Sequence, residues 1–195
     1  MTGIVLAGGK STRLGTTKAL LRLGDQTFLE RAVSALRPFC RQIIIVSATD
    51  SALPDVENCA MVEDETPGLG PLGGLVTGLA ASCDEWHLTL ACDLPLVRSQ
   101  VLGLIVSEAV GADVVVPRVA GRFEPLLAAY ARACLPAARA ALGAGKRAMK
   151  AFFDQVQVKV IEESRLRNVD PELVSFANVN TWEDYLRLGG SGRTV

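Results

Sequence analysis

The sequence predicts an α/β fold, a mostly parallel but mixed sheet with helices on both faces, and three features predict it. Short apolar runs alternate along the chain with stretches of helical periodicity, the pattern left by successive βαβ units. The runs at 86–92 and 113–117 read as strands buried on both faces, as parallel strands between helix layers are. A late run, Val156-Gln157-Val158-Lys159-Val160, alternates strictly and so suits an antiparallel or edge strand, which makes the sheet mixed.

The elements follow in order. Residues 4–6 form the first strand. Thr27 and Glu30 make a T-x-x-E capping box, and Leu29, Val33, Ala35 and Leu36 follow at helical spacing. Residues 43–46 are the second strand and 60–62 a weaker third. Pro71 stands where the first turn of a helix tolerates it, ahead of the apolar stretch 75–79. The strand at 86–92 is expected to be central. Ser99 is expected to cap a helix running to 109, and 113–117 is the next buried strand. Residues 122–130 read as a further strand, and 131–142 and 146–154 have helix-forming composition. Thr181-Trp182-Glu183-Asp184 starts a last helix, read as structural packing. The expected whole is one three-layer, Rossmann-like domain over residues 1–188, with a flexible tail at 189–195.

Composition narrows the function classes. A chain of 195 residues with 49% hydrophobic and 21% charged residues fills one core, so disorder is set aside. Twenty Lys plus Arg against 21 Asp plus Glu give a net charge of −1, with no global field for nucleic acid or an anionic membrane, so any anion site must be local. Five cysteines without C-x-x-C spacing argue for reduced, packed thiols rather than disulfides or a zinc site. The apolar run 4–7 has no basic leader and stops at Gly8, and no stretch approaches the roughly 20 apolar residues of a membrane span. The expected compartment is the cytoplasm.

Three motifs carry chemistry. The first is Leu6-Ala7-Gly8-Gly9-Lys10-Ser11-Thr12-Arg13-Leu14-Gly15-Thr16-Thr17-Lys18, which begins where the first strand ends, at the edge where open α/β sheets bind ligands. Gly8 and Gly9 lack a Cβ and would let backbone N–H groups approach phosphate oxygens, while Arg13 and Lys18 supply charge. It is not a Walker loop, and a surface turn is the competing reading; its position after an N-terminal strand favours phosphate. The second is Asp93, at the carboxyl end of the strand at 86–92, where one carboxylate suffices for magnesium if substrate phosphates complete the coordination. The competing reading makes Asp93 the cap of the following turn. The third, from Asp64 to Gly74, contains a formal G-x-G-x-x-G over Gly68 to Gly73. Asp64 to Pro67 separate it from the strand and Pro71 removes an amide donor, which argues against dinucleotide binding.

In this order the motifs resemble those of the molybdenum cofactor guanylyltransferase family, within the MobA-like nucleotidyltransferases. The signature loop matches at Leu6-Ala7-Gly8-Gly9, Ser11, Arg13, Gly15 and Lys18, followed by Leu20-Leu21. Asp64 matches an acid after the third strand, Gly70-Pro71-Leu72-x-Gly74 the GPLxG segment, Cys92-Asp93-x-Pro95 the CDxP, and Asn178-Val179-Asn180-Thr181 the NVNT. The resemblance implies that Leu6, Ala7, Gly8, Gly9, Ser11, Arg13, Lys18, Asp64, Gly70, Pro71 and Asp93 bind GTP, and that Asp93 holds Mg2+. It implies that Asn178 and Asn180 lie on the side of the acceptor, molybdopterin or its molybdenum form, the N-terminal half binding nucleotide and the C-terminal half acceptor. Arg122 and Arg147, with Lys146, would meet the acceptor phosphate or else are solvated surface charges. Two departures are Thr17, where relatives often carry Asp before the lysine, and the absence of a common Asn around Val46-Ser47.

The implied reaction is attack of a terminal molybdopterin phosphate oxygen on the α-phosphate of GTP, expelling pyrophosphate. Arg13, Lys18 and magnesium would offset the repulsion between two anions, with Arg13, Lys18 and Asp93 as the catalytic set and no general base required. His87, mid-strand, reads as packed rather than catalytic, and Cys92 as a small core residue. Two other classes stay open: a cytidylyl or other nucleotidyl transfer to a different phosphorylated acceptor, and a regulatory nucleotide-binding module. Gly9 argues against the first, since cytidylyl relatives resemble Leu-Ala-Ala-Gly there; a module without turnover would not need Arg13, Lys18 and Asp93 together. Proteins that deliver molybdopterin or receive the finished cofactor are the expected macromolecular partners.

Overall fold

The computed structural model describes residues 1–8, 17–49, 51, 53–64 and 68–190. In chain order the first half comprises β1 (Thr2–Leu6), a small hairpin of β2 (Arg22–Leu23) and β3 (Gln26–Thr27), α1 (Phe28–Leu36), β4 (Gln42–Ser47), β5 (Cys59–Glu63), α2 (Gly70–Ala80) and β6 (Trp86–Ala91). The second half comprises α3 (Ser99–Ser107), β7 (Val114–Val119), β8 (Arg122–Phe123), β9 (Leu127–Ala131), α4 (Leu135–Gly143), β10 (Val158–Ile161), α5 (Glu163–Arg167) and α6 (Trp182–Arg187). Four 3-10 turns, Lys18–Leu20, Arg132–Cys134, Met149–Gln155 and Val174–Phe176, join them.

The main sheet has the order β10-β7-β9-β6-β1-β4-β5, with β8 paired to β7. β1 lies parallel between β4 and β6, and β9 runs against both β6 and β7, so the sheet is mixed as expected. Neighbouring apolar residues on the central strands point to opposite faces. Ile4 and Ile44 pack with Leu72, Leu75 and Leu79 of α2, while Val5 and Ile45 pack with Leu29 and Leu36 of α1 and Val101 and Ile105 of α3. Each such side chain, fully buried, contributes about 1.5–3 kcal/mol, which explains why these strands are apolar on both faces. α2 comes especially close: a Cβ at Gly78 would lie 2.8 Å from Ile4, so only glycine allows this helix-to-sheet distance.

The capping boxes form as the sequence predicts. Thr27 and Glu30 exchange bonds at the start of α1, Glu30 N donating to Thr27 Oγ1 (3.1 Å) and Thr27 N to Glu30 Oε2 (2.6 Å). Thr181 and Asp184 do the same for α6, with Asp184 N donating to Thr181 Oγ1 at 3.1 Å.

Several expectations need correction. Ser99 is the first helical residue and not the cap; Arg98 occupies the cap position, its N–H donating to Ser175 Oγ at 3.0 Å, and the helix ends at Ser107. The strand expected over 122–130 is broken into β8 and β9, because Pro125 cannot donate to a ladder and Glu124 instead closes a turn with Leu127. Ala131 ends β9, and the following helix begins only at Leu135, with Pro136 in its first turn. The stretch 146–154 forms the 3-10 turn Met149–Gln155 rather than an α-helix. The alternating run starts pairing at Val158, not Val156, and β10 is an edge strand parallel to β7. Residues 191–195 of the expected tail lie outside the described residues.

Candidate functional site

β1 has β4 on one side and β6 on the other, so connections leave its carboxyl end in opposite directions and open a crevice there. A cavity of about 520 Å³ occupies this edge, in the range of small-molecule sites. Its walls are the strand ends: Leu6, Ala7 and Gly8 after β1, residues 47–49 after β4, Asp64 after β5, and Cys92 and Asp93 after β6. Lys18 and the start of α2, with Gly68, Gly70, Pro71 and Gly74, also line it, as does Leu126.

Lys18 and Asp93 meet here. Lys18 Nζ donates to Asp93 Oδ2 at 3.2 Å and to Asn180 Oδ1 at 2.6 Å. Asn180 is held from its main chain, because Asn180 N and Thr181 N both donate to Asp184 Oδ2, at 3.0 and 2.9 Å. One residue earlier, Val179 is buried beside Phe28 and Tyr185 and donates its N–H to the Asp93 carbonyl at 2.9 Å. The C-terminal segment is thereby bound to both members of the Lys18–Asp93 pair. Asn180, expected on the acceptor side, touches Lys18, expected on the nucleotide side; Asn178 is exposed two residues earlier.

The turn after β6 closes through Leu94 N–H to the Ala91 carbonyl, so the Asp93 carboxylate is not spent as its cap. Asp93 Oδ1 is buried with no hydrogen-bond partner among the described residues. Such an oxygen calls for a reason, and a divalent cation supplies one. Among the described residues no group of three or more His, Cys, Asp or Glu gathers to hold a metal. A single carboxylate oxygen can serve a divalent cation that takes few protein ligands and fills its shell with water and phosphate.

On the other side of the cavity two bonds among the described residues hold Asp64. Its N–H donates to the Ser47 carbonyl at 2.8 Å, and Thr77 Oγ1 of α2 donates to its Oδ1 at 3.2 Å. The chain enters α2 through a tight turn in which Gly68 and Gly70 have φ of +84° and +70°, a conformation that favours glycine, and Pro71 sits in the first turn as expected. The Arg147 guanidinium donates to the Gly68 carbonyl. Arg147, expected to meet the acceptor, thus pins the turn that borders the cavity. Arg122 is exposed at the start of β8 and does not line the cavity; its charge acts on half-buried Glu124, whose carboxyl burial pushes up. Lys146 is exposed.

Gly9, Ser11 and Arg13 lie outside the described residues. His87 is fully buried, and burial pulls its imidazole down to about 4, so it stays neutral in the core near pH 7. Burial pushes the Cys92 thiol up to about 12, as befits a packed residue with no thiolate chemistry. The sequence reading missed residues 47–49 and Leu126 in the cavity wall, and Thr77 behind Asp64. The first follow from the strand-end rule, and a lone threonine in the glycine-rich, apolar α2 was the available signal for the last.

The profile of the MobA-like NTP transferase domain family matches residues 3–160. A probable molybdenum cofactor guanylyltransferase of Carboxydothermus hydrogenoformans is 35% identical over 96% of this chain and 94% of its own. The molybdenum cofactor guanylyltransferase of Desulfosudis oleivorans is 36% identical over 94% of this chain and 92% of its own. Among solved structures, the molybdopterin-guanine dinucleotide biosynthesis protein A of Archaeoglobus fulgidus superposes with a TM-score of 0.81 at 27% identity, covering 96% of each chain. The 2-C-methyl-D-erythritol 4-phosphate cytidylyltransferase of Thermus thermophilus shares the fold, with a TM-score of 0.73 at 16% identity over 95% of each chain.

Proposed function

The chain belongs to the MobA-like NTP transferase domain family, and on that premise we propose that it transfers GMP from GTP to the terminal phosphate of molybdopterin or its molybdenum form. The observation that carries the reading is the Lys18–Asp93 pair at the carboxyl end of β1 and β6, in a cavity whose opposite wall carries Asp64. An ammonium and a carboxylate with one unpartnered oxygen suit a triphosphate that arrives with a divalent cation.

In the reaction a terminal phosphate oxygen of the acceptor forms a bond to the α-phosphorus of GTP, and the bond from that phosphorus to the α–β bridging oxygen breaks, releasing pyrophosphate. The attacking oxygen is already ionised, so no residue need take a proton. Lys18 offsets charge on the phosphates, and Asp93 would hold magnesium, which when bound supplies further positive charge between the two anionic substrates. Asp64 and the Gly70-Pro71 turn receive the nucleoside. Arg13, Gly9 and Ser11 belong to the same site by their places in the signature loop, and Asn178 and Asn180 serve the acceptor side. No helix among the described residues is long and apolar enough to cross a membrane. The cytoplasm, where GTP is available, is the expected location.

Isothermal titration tests the nucleotide half of this reading. With magnesium present, GTP should bind at least about ten-fold more tightly than CTP, the scale expected when one set of base contacts is lost. Equal affinities would favour the cytidylyl alternative.

A further inference from the structure

Thr77 is 3% exposed on α2, a helix whose other buried positions are Leu72, Gly73, Gly74, Leu75, Val76, Gly78 and Leu79. A buried hydroxyl without a hydrogen bond is costly, and valine has the same shape without that cost, so an apolar helix that carries threonine here uses its hydroxyl. The use is visible: Thr77 Oγ1 donates to Asp64 Oδ1 at 3.2 Å. Asp64 lines the cavity, and its main chain is already tied to Ser47. The bond from Thr77 bears on what the main-chain tie leaves open, the orientation of the carboxylate. Three strand spacings of about 4.8 Å separate the end of β6, at Asp93, from the end of β5, at Asp64, which makes roughly 14 Å across the cavity. A triphosphate seated at Lys18 and Asp93 thus extends its nucleoside toward Asp64.

We propose that Thr77 is a positioning residue for nucleoside recognition, holding the Asp64 carboxylate in the orientation that accepts hydrogen bonds from donors of the bound nucleoside. Those donors are the N1–H and 2-amino groups of guanine or the ribose hydroxyls. The inference rests on the guanylyltransferase reading and deepens it. Thr77 touches no substrate and acts through Asp64. A threonine that merely satisfied its own helix would contribute to the fold and leave nucleotide binding alone.

The test compares wild type, Thr77→Val and Thr77→Ser by titration with magnesium-GTP in the absence of acceptor, by steady-state kinetics and by thermal melting. Thr77→Val should weaken GTP binding and raise its KM about ten-fold, leave kcat at saturating GTP within about two-fold, and melt close to wild type, as loss of binding shared by ground and transition states requires. Thr77→Ser should restore affinity. Titrations with ITP, which lacks the 2-amino group, and with 2′-deoxy-GTP identify the donor, since the penalty of Thr77→Val shrinks for the analogue that lacks the group Asp64 receives. Thr77→Val binding GTP like wild type would overturn the inference alone, as would a lowered melting temperature with unchanged affinity. Failure of the wild-type protein to bind magnesium-GTP would overturn the guanylyltransferase reading and this inference with it.

Discussion

Lys18 and Asp93 stand 75 positions apart in the chain and 3.2 Å apart in the fold, each side chain about a fifth exposed. A part-buried pair forfeits solvation that its mutual attraction need not repay, so it is weak evidence of a role in stability, and its presence in the cavity asks for a chemical use. Asp93→Asn separates the two readings of the residue, because the amide keeps the shape and loses the charge. The variant should melt within a few degrees of wild type yet lose at least about 100-fold in single-turnover rate at limiting magnesium. Wild-type rates across a magnesium titration would remove Asp93 from the metal site. The individual strand-end residues were legible in sequence because a charged residue closing a buried apolar run has few structural uses. The bond from Lys18 to Asn180 was not, since it spans 162 positions and depends on how the C-terminal segment folds back. The bond from Arg147 to the Gly68 carbonyl was not legible either, because an exposed arginine in a loop gives no sign in sequence of which carbonyl it will reach.

At the scale of elements, capping chemistry was the most legible feature, because Thr27 with Glu30 and Thr181 with Asp184 satisfy orphan N–H groups using neighbours three residues away. Strand direction was not legible in the alternating run before residue 161. Alternation reports that one face is exposed, as at an edge, and says nothing of the partner's direction, so β10 met the edge expectation while running parallel. Pro125 and Pro136 interrupt the second half, where the expected strand splits and the expected helix starts late. The contact between α2 and β1 yields a prediction at this scale. Gly78→Ala gains helix propensity of about 1 kcal/mol, but its Cβ would sit 2.8 Å from two Ile4 carbons, inside a packed core. The overlap should win, with a net loss of about 1–3 kcal/mol read by denaturant unfolding. A variant as stable as wild type would show that α2 can move outward, and would weaken the view that this helix fixes Thr77 and the Gly70-Pro71 turn against the cavity.

Over the whole molecule, the fold alone does not choose the reaction. The Thermus thermophilus cytidylyltransferase has the same architecture at 16% identity, and relatives named molybdenum cofactor guanylyltransferase are near 35% over almost the full chain. The shared scaffold presents strand ends around a crevice, and the residues at those ends decide base and acceptor. In this chain we propose Gly9 in the signature loop and the Cys92-Asp93-Leu94-Pro95 segment as the distinguishing positions; at the site, Val179 bonds the Asp93 carbonyl and Asn180 bonds Lys18. Pyrophosphate release with molybdopterin, magnesium and GTP, CTP or ATP as the varied nucleotide measures base choice and acceptor together. Rapid release with GTP, dependent on molybdopterin and at least about ten-fold faster in kcat/KM than with CTP or ATP, is the predicted result. Release that prefers CTP, or that is indifferent to molybdopterin, would contradict guanylyl transfer to this acceptor.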